Sequence, residues 1–163
     1  MSQRRRFSFF ILVFGLLTMW ASAEKSDMEI AKFDKSWRAS FALSAAELME
    51  KSMQTLESRE IFIVKSDPAK RSIITEFKSL KPEKVKDLVT FNLAAASFDT
   101  YRYQFRLTVF PREGQGSVLE ARAVIKGHGR PIKIMGARPG WYTLPSNGNL
   151  EKELLRAVEK SLR

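Results

Sequence analysis

The chain contains no cysteine. No disulfide can staple it, no thiol can act as a nucleophile, and no cysteine side chain can carry a lipid or help ligate zinc. Histidine is almost as scarce. His128 is the single one in 163 residues, so a multi-histidine metal site is excluded. No Gly-x-Ser-x-Gly elbow and no phosphate-binding loop occurs. Gly127-His128-Gly129 starts a dinucleotide fingerprint, but Ile132 stands where its third glycine belongs. The carboxylates form no cluster at metal-ligand spacing: Asp67 falls in a turn, and Glu47, Glu151 and Glu153 fall at helix starts. A general base at His128 would sit in an exposed glycine-flanked loop with no nucleophile to serve. The expectation is a non-enzymatic protein with no cofactor and no metal.

A long hydrophobic run is also missing. The apolar stretch Phe7 to Trp20 is 14 residues long, whereas a membrane-spanning helix needs about 20. It follows Arg4-Arg5-Arg6 and precedes Ala21-Ser22-Ala23. A basic start, a short apolar core and a small-x-small site read as a secretory signal peptide over residues 1–23, cleaved after Ala23. Residues 24–36 then read as a flexible lead-in and 37–163 as one domain. The expected protein is exported, periplasmic, soluble and not lipidated, with no transmembrane span after cleavage. Acidic charge is in deficit as well: 18 Asp and Glu stand against 28 Lys and Arg, for +10. Without residues 1–23, which hold three arginines and no acid, the charge is +7. Outside the cytoplasm, a basic surface favours an envelope protein or an anionic envelope component as partner and disfavours nucleic acid.

What is present is alternation. Tyr101, Tyr103, Phe105, Leu107 and Val109 point to one side of a strand, and Arg102, Gln104, Arg106 and Thr108 to the other. Leu119, Ala121, Ala123 and Ile125 repeat the pattern opposite Glu120, Arg122 and Lys126, with a proline- and glycine-bearing turn between. A strand is expected over 37–43. Ser44 then precedes Glu47 by three residues, the spacing of a capping box, and predicts a helix to about Ser58. Ala45, Leu48, Met49, Ser52, Met53 and Leu56 form its inner face. Strands are expected over 60–65 and 72–78, the latter with Ile73, Thr75 and Phe77 on one face. Pro82 to Ser97 suits a short helix starting at Pro82 or an edge strand at Val89-Thr90-Phe91. A long loop over 127–148, with a short strand at 132–135, leads to a last helix near Asn149 whose inner stripe is Leu150, Leu154, Ala157, Val158 and Leu162. The fold class is α+β: an antiparallel sheet of about five strands with two main helices packed on one face, a two-layer sandwich.

Two surfaces qualify as functional. Arg102, Arg106, Arg122 and Lys126 share the polar side of the hairpin, and Arg130, Lys133 and Arg138 follow it, beside Trp141 and Tyr142. Arginine with aromatic residues marks interaction hot spots, so this is the candidate partner-binding face. Glu120 lies among these charges and offers them a partner. The alternative is a carrier, with Trp37, Phe41, Phe105 and Trp141 lining an apolar cavity between helix and sheet for a lipid or similar ligand.

The strand ending at the serine-capped helix, the hairpin ending Ile73-Ile74-Thr75-Glu76, the Tyr101-Arg102-Tyr103-x-Phe105-Arg106-Leu107-Thr108-Val109 strand, and Trp141-x-x-Leu144-x-Ser146-x-Gly148-x-Leu150-Glu151 together resemble the small exported domains of the BamC (NlpB/DapX) type. The resemblance covers roughly residues 37–163 at the level of pattern. It implies a helix-grip fold, a sheet holding a long helix. It also implies an accessory, protein-binding role in outer-membrane assembly or maintenance, with no catalytic residues. The chain departs from that type in lacking the lipid-bearing cysteine and in having one domain instead of two.

Overall fold

The computed structural model describes residue 28 and residues 30–90, 96–114, 116–131 and 138–163. The expected signal peptide, Lys133 and the strand expected at 132–135 lie outside the described residues. In chain order the elements are β1 (Ile30–Phe33), β2 (Ser36–Phe41), α1 (Ala45–Ser58), β3 (Ile63–Asp67), β4 (Ser72–Thr75) and β5 (Lys78–Leu80). Then come α2 (Pro82–Val85), β6 (Ala96–Pro111), β7 (Ser117–Pro131), β8 (Gly140–Leu144) and α3 (Asn149–Lys160).

The fold is α+β, one antiparallel sheet with two main helices, α1 and α3, packed on it. The strand order is β1-β2-β7-β6-β4-β3, with β5 also paired to β6 and β8 to β7. The sheet has eight strands where about five were expected. The additional ones are β1, which falls inside the stretch read as lead-in, and the short strands β5 and β8. Three to five residues are too few to show a clear period of two.

The long hairpin β6–β7 is the spine of the sheet. Its register sets Val109 opposite Leu119, Leu107 opposite Ala121 and Phe105 opposite Ala123. These side chains are buried with Leu48 and Leu56 of α1 and Leu154, Leu155 and Val158 of α3. Full burial of each large apolar side chain stabilises by about 1.5–3 kcal/mol. α1 starts as expected: Glu47 N–H donates to the Ser44 hydroxyl and the Ser44 N–H donates to the Glu47 carboxylate. Pro82 opens α2 at a position where its missing N–H costs nothing. Leu162 does not join the inner stripe of α3, because the helix ends at Lys160 and leaves it 37% exposed.

One irregularity decides what the other face looks like. Ile74 opposes Arg106, and continuing that ladder would set Lys78 opposite Arg102. Instead Lys78 opposes Tyr103. One extra residue between β4 and β5 shifts the register, and a one-residue slip turns every following side chain to the opposite face. Thr75 fills the break: its hydroxyl accepts from the Phe105 N–H at 2.9 Å, and its carbonyl accepts from Gln104 Nε2 at 2.7 Å. Phe77, expected inward beside Ile73 and Thr75, is therefore turned outward.

Candidate functional site

The helices cover one face of the sheet. On the other face, strand alternation brings the polar residues of β6 and β7 together. Arg102 lies directly opposite Lys126, and Arg106 directly opposite Arg122. Like charges facing each other across strands repel. Among the described residues none of these four forms an ion pair. Glu120, the carboxylate that sequence placed among them, pairs with Arg38 on β2 instead, its direct cross-strand neighbour. Among the described residues the patch is left as cations without an ion-paired carboxylate.

Aromatic rings frame it. Phe77 arrives from the β5 flank of β6 and Trp141 from β8 on the other flank. The Arg102 guanidinium carbon lies 3.8 Å from the Trp141 ring centroid and 4.4 Å from that of Phe77. Lys126 Nζ lies 5.2 Å from the Phe77 ring. Cations over ring faces are attracted by the ring quadrupole, so these contacts hold the Arg102 guanidinium against the two rings. The Arg102 Nε is buried without a hydrogen-bond partner. Trp141 remains 41% exposed.

The structure brings some expected residues together and separates others. Arg102, Arg106, Arg122 and Lys126 share the open face. Arg130 is exposed near the end of β7. Arg138 is exposed just ahead of β8, its carbonyl accepting from the Tyr142 hydroxyl at 2.6 Å. Trp37, Phe41, Phe105 and Trp141 do not line one cavity. Phe41 and Phe105 are buried in the core. Trp37 packs against Gly148, where a Cβ would come within 2.1 Å of the indole nitrogen, and lies under Lys152. Trp141 is on the opposite face, because its β8 register sets it against His128 and not over the helices.

His128 also belongs to this face, its ring 5.1 Å from that of Trp141. Among the described residues no group of His, Cys, Asp and Glu is arranged to hold a metal ion. On the helix face a groove of about 360 Å³ runs between α2, α3 and the sheet, floored by Phe105 and Leu154 and walled by Tyr103, Leu80 and Leu88. Burial pushes the Tyr103 phenol up from its ordinary pKa, with Arg59 opposing and Glu153 adding to the shift. Sequence reasoning missed Phe77 as a site residue, since the slip that exposes it leaves no local mark. It also missed Phe62, which falls in the strand expected over 60–65 and is 66% exposed just ahead of β3.

No protein-family model matches the chain, and no curated protein matches it. Among solved structures it has distant similarity to a TBP-like protein from Parabacteroides distasonis. That match has 13% identity over 69% of this chain and 69% of the other, at a TM-score of 0.34. It is similar at the same distance to a DUF4468 family protein from Bacteroides ovatus. There the identity is 16% over 81% of this chain and 83% of the other, at a TM-score of 0.36. Among the described residues no helix is long and apolar enough to cross a membrane.

Proposed function

We propose that this chain is a non-enzymatic, exported module of the cell envelope whose open sheet face docks an acidic protein partner. One observation carries the reading: Arg102, Arg106, Arg122 and Lys126 stand in two like-charge pairs with no carboxylate partner among the described residues. Such pairs weaken a sheet, and an acidic surface laid across them relieves that repulsion while gaining charge-assisted hydrogen bonds. The arginine-rich start of the chain supports export, and the pattern-level likeness to the BamC (NlpB/DapX) type supports an accessory, partner-binding role. The test is crosslinking in the native envelope, comparing the wild type with an Arg106→Glu/Arg122→Glu variant that retains its circular dichroism. Envelope proteins captured by the wild type and lost by the variant support docking through this face. Equal capture by both refutes it.

A second reading rests on the groove beside Tyr103. Its volume of about 360 Å³ and apolar floor suit a small apolar ligand. In this reading the chain is a carrier, and native mass spectrometry of gently purified protein shows a retained mass. A clean apo mass counts against it.

A further inference from the structure

We propose that the open face contains a recognition site for one kind of peptide segment, an extended stretch carrying an acidic residue and, two positions away, a large apolar one. The site deepens the docking reading above and rests on it.

The acidic half is read by Arg102. With Trp141 and Phe77 against its guanidinium, the edge of the planar group is what remains for a ligand, and that edge matches a carboxylate in bidentate fashion. Lys126, opposite Arg102 on β7, adds a second cation.

The apolar half is read next door. A groove of about 470 Å³ is lined by Glu60, Ile61, Phe62, Glu76, Phe77 and Lys78. Phe77 is the wall shared by both halves: it supports Arg102 and lines this groove. Phe62, two-thirds exposed, is the other apolar wall. Residues two apart in an extended chain point the same way, so one strand can set a carboxylate on Arg102 and an apolar side chain against Phe77, which borders both halves. Glu60 and Glu76 at the groove repel a second acid there and so orient the segment. A lone phosphate or a lipid headgroup has no use for the apolar groove, which is why the pairing of the two halves points to a peptide.

The experiment titrates the full chain with a synthetic peptide containing glutamate–threonine–leucine, following the Arg102 Nε–H and Trp141 indole N–H resonances. Saturable shifts of both are expected. Replacing the peptide's glutamate by glutamine, or Arg102→Lys in the protein, is expected to weaken binding about tenfold, because lysine keeps the charge and loses the planar fork. Phe62→Ser, at an exposed position where folding is least at risk, is expected to weaken it about fivefold. Absent shifts, equal binding of the glutamine peptide, or displacement by inorganic phosphate or phosphatidylglycerol vesicles at the peptide's own concentration would overturn the proposal. Envelope partners lost by Arg106→Glu/Arg122→Glu but kept by Arg102→Lys and Phe62→Ser would overturn this site and leave the docking face standing. Partners kept by all variants would overturn the face itself.

Discussion

Glu151 has 1% of its surface exposed, yet both its carboxylate oxygens are occupied. Oε1 accepts from the Ala123 N–H of β7 at 3.1 Å, and Oε2 accepts from the Ser146 hydroxyl at 2.8 Å. It stands in the first turn of α3, where the helix dipole favours a negative charge. Sequence placed Glu151 at the helix start for that last reason alone. Nothing local announced that Ala123, 28 residues earlier, would need its carboxylate as acceptor. Removing it strands a buried N–H and opens a small void. Glu151→Ala is therefore expected to destabilise the fold by about 3 kcal/mol, combining an unsatisfied donor with lost packing. Urea denaturation checks this as a lowered midpoint at an unchanged slope. A loss of under about 1 kcal/mol would mean that water replaces the carboxylate, which a site this closed should not allow.

At the scale of elements, what was legible was what is written locally. α1 begins where Ser44 and Glu47 say it begins, and the inward residues of the β6–β7 hairpin are those that alternation selects. What was not legible is set by pairing. The slip between β4 and β5 exists because Thr75 is held by Phe105 and Gln104 of β6, and it alone moves Phe77 from the expected core to the site. β8 is likewise defined by its ladder with β7, which carries Trp141 away from the expected cavity. The capping box also has a measurable pH signature. Bonds from the Ser44 side chain first, and its backbone second, hold the Glu47 carboxyl below its ordinary value of 4.5. A folded-state pKa below the unfolded one contributes stability that is present above the ordinary value and lost as pH falls through the folded value. The advantage of the wild type over Glu47→Gln is thus expected in full at neutral pH and to shrink as the pH drops below 4.5. Thermal midpoints of both proteins across that window decide it. A difference that stays constant into acid would mean that the box works through hydrogen bonds alone.

For the molecule as a whole, if the open face docks a partner as proposed, stability and binding are set against each other on the same four cations. The helix face closes the core without them, and the charge-bearing face is open. Its two cross-strand pairs, Arg102 with Lys126 and Arg106 with Arg122, are costs to the isolated fold. Arg106→Glu turns one repulsive pair into an attractive one and is expected to stabilise the protein by about 0.5–1 kcal/mol at low salt. Because both residues are exposed, the gain should fade in about 1 M salt, where charges farther apart than about 3 Å are screened. The same substitution is expected to weaken capture of the proposed acidic partner, since it removes a cation from the proposed docking face. A variant that is both more stable and less able to bind is the signature of residues kept for function at the expense of the fold. Denaturation at two salt concentrations, alongside crosslinking, separates the cases. Stabilisation with unchanged capture would mean that the pairs are tolerated surface charges. Destabilisation would mean that Arg106 contributes to the sheet through its aliphatic stem, as long cationic side chains can. Only the combination of gained stability and lost capture fits a surface whose missing counter-charge is supplied by another molecule.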